Sequence, residues 1–273
     1  MAVSLPQTNI STEGSWVLGH TQKQGGSHLQ AGVRALHSSS KLTQALSTLR
    51  GRMAARTMMA MGVDQKLLNY ASFRPYAMAE IIKRHLPADV AFPTVVDPAG
   101  GYSPQSLWLA ESMPNVECIE IDTVTNVQGK RSCLNGFKLP KNFKMVPADL
   151  EIIPLHYVLQ RHTINVIVAL ATYVESRHFV QLLKYLRQIM PEDGVIVAPF
   201  PYAPGIENLA RNSLLFRKLA GVPLGMVQSE LHIGGMFTQA GFSSIQFYKL
   251  SELAGELGKP VPSDVEIIAV ATR

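Results

Sequence analysis

The chain has 273 residues, 47% of them hydrophobic, with 25 basic and 20 acidic side chains and a formal net charge of +5. That is enough apolar material for one large packed domain or a domain with an extension, and no apolar run reaches the ~18 residues of a bilayer span. The positive excess lies in residues 1–60, where Lys23, Arg34, Lys41, Arg50, Arg52 and Arg56 face Glu13 alone; the neutral remainder lacks the basic working face that a nucleic-acid substrate requires.

Residues 1–30, rich in Gly, Ser, Thr and Gln, are expected to be loosely ordered. Apolar residues at helical spacing over 31–49 (Val33, Leu36, Leu42, Leu46, Leu49) predict one or two short helices. A longer amphipathic helical region is predicted over 64–84, interrupted near Pro75. A regular alternation follows. Strands are predicted at 94–97, 117–122, 143–146, 165–171, 194–200, 244–250 and 266–272, with helices at 104–112, 123–136, 150–160, 176–190 and, in two pieces, 207–240. Strands alternating with helices of ~10–15 residues imply a parallel sheet covered on both faces. The link between the last two strands is short and holds Pro260 and Pro262, so the seventh strand is expected to be antiparallel. The domain division that follows is a basic extension over 1–60 and a catalytic body over 61–273.

Two cysteines, Cys118 and Cys133, make no disulfide framework and read as reduced thiols, and no Cys/His cluster has the spacing of a metal site. Residues 1–61 lack the apolar core and cleavage pattern of a secretory signal. The expectation is a cytoplasmic protein with no membrane partner. Organelle targeting by the arginine-bearing N-terminus stays open, as does a homodimer or a partner protein.

The chemistry concentrates at Thr94-Val95-Val96-Asp97-Pro98-Ala99-Gly100-Gly101-Tyr102-Ser103 and at Cys118-Ile119-Glu120-Ile121-Asp122. A buried strand ends in an acid and a glycine turn, where backbone can approach a ligand. The next strand ends in its own carboxylate, Asp122, placed to accept ribose hydroxyls. The same residues also suit an ordinary strand-to-helix turn. Asp149 and Leu150 follow the third strand, where they could line the same crevice; an N-cap role for Asp149 is the alternative. Ala171-Thr172-Tyr173 ends the fourth strand. There Tyr173 either contacts a bound ligand or simply packs. His178 and His232 are candidate general bases, with Glu175 beside the first. Gly241 closes a helix as a C-cap.

The spacing Asp97-x-Ala99-x-Gly101-x-Ser103 resembles the first motif of class I S-adenosylmethionine (SAM) methyltransferases. More narrowly, the chain resembles the leucine carboxyl methyltransferase group and its polyketide carboxyl- and O-methylating relatives. That resemblance rests on Val95-Val96-Asp97-x-Ala99-x-Gly101-Tyr102-Ser103-Pro104, Glu120-Ile121-Asp122 with Val127 and Lys130-Arg131, Ala148-Asp149-Leu150 and Ala171-Thr172-Tyr173-Val174. Ala99 stands where the group has its first turn glycine, and Pro104-Gln105-Ser106 replaces an arginine after the turn. The resemblance implies a class I, Rossmann-like α/β fold with a seven-stranded sheet, its last strand antiparallel, and a helical N-terminal cover. It implies SAM as methyl donor, with Asp97, Ala99, Gly100, Gly101, Tyr102, Asp122, Asp149, Leu150 and Ala171 at the cofactor. It also implies an arginine gripping the cofactor carboxylate, for which Arg56 is the best match and Arg74 the second.

Methyl transfer from a sulfonium is an in-line displacement governed by positioning and exclusion of water. A carboxylate acceptor needs orientation, whereas a hydroxyl acceptor needs a base. The expected activity is therefore O-methylation of a small molecule. Two other readings remain: a non-catalytic protein of this fold acting as scaffold or partner, and a nicotinamide-dependent oxidoreductase, disfavoured by the turn spacing and the lack of a Tyr-x-x-x-Lys pair.

Overall fold

Val95 and Val96 are neighbours in one strand, yet each belongs to a different hydrophobic cluster. Alternation of this kind repeats along every buried strand and sets the architecture, because successive strand side chains face opposite sides. The computed structural model describes residues 25–38, 40–60, 62–150, 153, 155–159, 163–168, 176–205 and 228–273.

Strands β1 (Thr94–Pro98), β2 (Glu117–Asp122), β3 (Phe143–Pro147), β4 (Val166–Val168), β5 (Val195–Pro201), β6 (Ser244–Lys249) and β7 (Glu266–Thr272) form one seven-stranded sheet in the order β3-β2-β1-β4-β5-β7-β6. Pairings from β3 through β5 are parallel, and β7 runs antiparallel between β5 and β6. The expected reversal of the last strand is borne out. Its N-terminal residue, Glu266, therefore lies opposite Pro201 at the edge where the parallel strands end.

One face carries α4 (Gln65–Arg84), α5 (Gln105–Ser112) and α10 (Leu250–Glu256), whose apolar side chains cluster with Val95, Cys118, Val166, Val197 and Ile268. Against the other face lie α7 (Leu155–Val158), α8 (Ser176–Ile189) and α9 (Glu230–Ala240). There Phe179, Phe200 and Phe237 meet edge to face at centroid distances of 5.1, 6.2 and 6.1 Å, a geometry adding ~0.5–1.5 kcal/mol per pair beyond buried area. Helix α6 (Val124–Cys133) links β2 to β3.

Three departures from the sequence expectations concern the N-terminal third. Residues 25–30 are helical, forming the first turns of α1 (Gly25–His37). After the short α2 (Lys41–Ala45), a third helix, α3 (Leu49–Ala60), was not foreshadowed, because its inward positions are Gly51, Ala55 and Met58, too small in sum to mark an apolar stripe. Helix α4 runs unbroken through Pro75. The ring removes one hydrogen bond, and burial of Leu68, Ala71, Phe73, Ala77, Met78, Ile81 and Ile82 outweighs that loss.

The cover is fastened to the body. Val33, Leu46, Ala55 and Met58 belong to the same cluster as α4 and the sheet face. Helices α1 and α3 approach so closely that a Cβ on Gly32 would lie 2.0 Å from the Gly51 carbonyl oxygen. Ser40 Oγ accepts from Thr43 N and Asp64 from Lys66 N, capping α2 and α4.

The predicted strand end at 169–171, the start of the helix at 150–160 and the piece of 207–240 before residue 228 lie outside the described residues.

Candidate functional site

At the end of β1 the backbone turns sharply, with Ala99 at φ 56° and Gly101 at φ 53°. An alanine in this left-handed region costs roughly 1–2 kcal/mol. The turn is held from two sides. Ala99 N donates to Ile121 O (2.6 Å) and Ser103 N to Gly100 O (3.0 Å). Gly101 N donates to Asp122 Oδ2 (2.8 Å).

Asp122 closes β2, where the sequence places it, and its other oxygen accepts from Thr123 N (2.7 Å) and Asn126 Nδ2 (2.8 Å). A carboxylate offers about four acceptor positions, so the one left is on Oδ2, beside Gly101. Ala148 N donates to the Asp122 carbonyl at 2.9 Å, which brings Asp149 alongside. Asp149 is half-buried and its carbonyl accepts from Ile153 N (2.8 Å), while Leu150 is buried in the cluster with Ala148 and Leu155.

Asp97 lies beneath the turn, next to Gly100. It is buried, and its Oδ2 accepts from Gln105 Nε2 (2.6 Å) and Ser106 Oγ (2.8 Å) of α5. Those two residues stand where the resembled group carries an arginine, so the departure has a structural counterpart: neutral donors hold the acid. Burial pushes the Asp97 carboxyl up from its ordinary range, opposed by these bonds.

Opposite it in register is Glu120, also buried. Lys130 reaches from α6, 2% exposed, and donates to both Glu120 oxygens (2.8 and 2.6 Å) and to the Ser103 carbonyl (2.6 Å). Burial raises the Glu120 carboxyl to about 7 against the pull of Lys130, and Asp97 adds to the rise. Gly100 rests directly on this acid pair: a Cβ there would lie 3.2 Å from Asp97 Oδ2 and from the Glu120 carboxyl carbon.

Tyr102 is buried, with its hydroxyl filling the place a Cβ on Gly129 would take, 2.2 Å away. Its ring is thus part of the packing of α6, and its backbone alone lines the turn.

Two arginines were expected near the cofactor carboxylate, Arg56 first and Arg74 second. Arg56 lies on the exposed face of α3, and no described contact ties it to the turn. Arg74 is at the strand ends, its Nε donating to Glu266 at 2.5 Å. Arg34, not singled out in the sequence, is 5% exposed and donates from Nη2 to the Tyr102 carbonyl (3.1 Å). Burial, with Arg74 nearby, lowers its guanidinium to about 9.

His178, half-buried, lies in the first turn of α8. His232 is exposed in the first turn of α9, where its backbone N donates to the cap Ser229. Ala171, Tyr173 and Glu175 lie outside the described residues. Among the described residues, no three His, Cys, Asp or Glu side chains gather as a metal site, and no helix is long and apolar enough to cross a membrane. Cys118 is buried and Cys133 half-buried, both unpaired with another cysteine.

The sequence missed Glu120, Lys130 and Arg34 as structural partners of the turn. Lys130 and Glu120 were within the resembled segments, but nothing local showed that they meet. Arg34 carried no signal beyond its charge.

No protein-family model and no curated protein matches the chain. Solved structures do. A protein from Nostoc punctiforme assigned as an O-methyltransferase superposes with TM-score 0.54 at 15% identity, covering 91% of this chain and 68% of that one. The pyocyanin biosynthetic protein PhzM gives 0.53 at 15% identity, covering 81% and 58%. The mitomycin 7-O-methyltransferase MmcR gives 0.50 at 15% identity, covering 92% and 68%. At such identities the likeness establishes the fold. The chain has the class I methyltransferase fold, as expected from the sequence.

Proposed function

We propose that this chain is a SAM-dependent methyltransferase that methylates an oxygen of a small molecule. One observation carries the reading: Asp97, Asp122 and Asp149 stand at or just beyond the C-terminal ends of the adjacent parallel strands β1, β2 and β3. Ligands of such sheets bind beyond those ends. Two of the solved structures of this fold are described as O-methyltransferases, one of them for mitomycin, and a third is a protein of pyocyanin biosynthesis.

The residues present suit SAM in kind. Asp122 Oδ2, with its remaining acceptor position, would take a ribose hydroxyl. Asp149 would accept from the adenine amine beside Leu150. Arg34 and Arg74, in place of Arg56, would face the cofactor carboxylate. When bound, SAM supplies an activated methyl group on a sulfonium. The chain's own part is to hold donor and acceptor in line and exclude water, with α1–α3 as roof. A hydroxyl acceptor would call on a base, with His178, Glu175 and His232 as candidates, and a carboxylate acceptor on none. We assign residues 1–60 to the cover and 61–273 to the cofactor-binding domain, in a cytoplasmic protein whose partners are small molecules rather than nucleic acid.

One observation favours a second reading, a non-catalytic protein of this fold: the chain itself already fills three acceptor positions of Asp122. Calorimetric titration with SAM, S-adenosylhomocysteine and NAD separates the readings. Binding of the first two without NAD is expected, and Asp122→Ala should then weaken SAM by ~1–3 kcal/mol. Silence toward all three ligands favours the scaffold.

A further inference from the structure

The outer face of α3 carries apolar and basic side chains together. Leu49, Met53, Arg56 and Ala60 recur at helical spacing on the side away from Gly51, Ala55 and Met58, and all four are exposed. Leu49 is 67% and Met53 59% exposed, and Met59 and Arg50 flank them. Among the described residues Arg50 and Arg56 make no ion pair, and no acidic residue occurs between positions 14 and 63. The helix thus has two apolar sides, one packed on α1 and one facing solvent among arginines.

We propose that this face docks on an anionic lipid surface, with Leu49 and Met53 entering the headgroup boundary and Arg50 and Arg56 meeting lipid phosphates and carboxylates. Apolar side chains at the centre of a cationic helix face are the pattern of interfacial attachment. A second copy fits poorly, because a two-fold contact would bring the arginines of both chains together with no acid on α1–α3 to offset them. Nucleic acid fits poorly too, since α3 offers no aromatic side chain for stacking. The side chains protrude from the helix surface, and neither of the hollows by α9 and β6 and between α5 and β3 is lined by α3. Protruding apolar groups suit a deformable apolar medium. A surface contact of this kind needs no spanning helix, and it stands apart from the methyl-transfer reading.

The test is sedimentation of the full chain with phosphatidylcholine vesicles containing about one third phosphatidylserine, and with pure phosphatidylcholine vesicles. Binding should be at least about fivefold greater to the anionic vesicles and should fall as salt rises from ~0.1 to ~0.5 M. Arg50→Glu and the double variant Leu49→Ser/Met53→Ser should each reduce it about fivefold, with unchanged thermal midpoints because these side chains are exposed. Lys184→Glu, an equal charge reversal at an exposed position of α8, should leave it intact. Four results would overturn the proposal: equal binding to both vesicle types, insensitivity to salt, variants that bind like the parent, or Lys184→Glu as damaging as Arg50→Glu. Capture by soluble polyglutamate with no vesicle binding would likewise reject lipid in favour of an acidic protein.

Discussion

The turn after β1 and the cover formed by α1–α3 touch each other through Arg34, yet they are held by opposite means. Beneath the turn lies a buried polar hub, in which Asp97, Glu120, Lys130, Gln105 and Ser106 satisfy one another within a few ångströms. The cover is held by shape: Gly32 on Gly51, with Val33, Leu46, Ala55 and Met58 entering the core. A polar hub tolerates the loss of a matched pair but not of one partner. A close helix contact tolerates changes of charge but not of volume.

The largest effect should come from breaking the hub on one side. Lys130→Met leaves the Glu120 carboxylate buried without its cation and should cost about 3–5 kcal/mol in chemical denaturation. Adding Glu120→Met should recover most of that loss, because the buried charge leaves with its partner; no recovery would mean that the pair acts mainly through the Ser103 carbonyl. Next in size, Gly32→Ala should force α1 and α3 apart at a cost of about 1–3 kcal/mol. Proteolysis should then reach α3 before the sheet, and protection of both alike would join the two regions into one unit. The smallest effect is a slope. Burial favours protonated Glu120, so between about 4.5 and about 7 the folded chain holds a proton that the unfolded chain has released. Stability should therefore fall as pH rises through that window. Glu120→Gln should flatten the slope.

What the sequence made legible followed local rules. The β-branched run at 94–96 and the boundaries of 117–122 and 266–272 match the strands closely, because alternation and turn residues are short-range signals. Asp122 was placed at its strand end for the same reason. Arg34 was not legible, because it meets Tyr102 across 68 residues of chain. Nothing near Arg56 in the sequence tells that its helix turns it outward. Pro75 misled in the other direction: a proline weakens a helix locally, and the buried side chains that outweigh it are visible only once the sheet is in place.

Cys118 is the second residue of β2, with its thiol pushed up to about 12 by burial and by the neighbouring acids. Such a sulfur stays unreactive as long as the strand stays paired, since the thiolate is the nucleophile. Alkylating reagents should thus modify half-buried Cys133 first and reach Cys118 only in molecules whose sheet has come apart. The chain carries its own internal clock for opening, to be read by mass spectrometry of the two labelled sites without any engineered reporter.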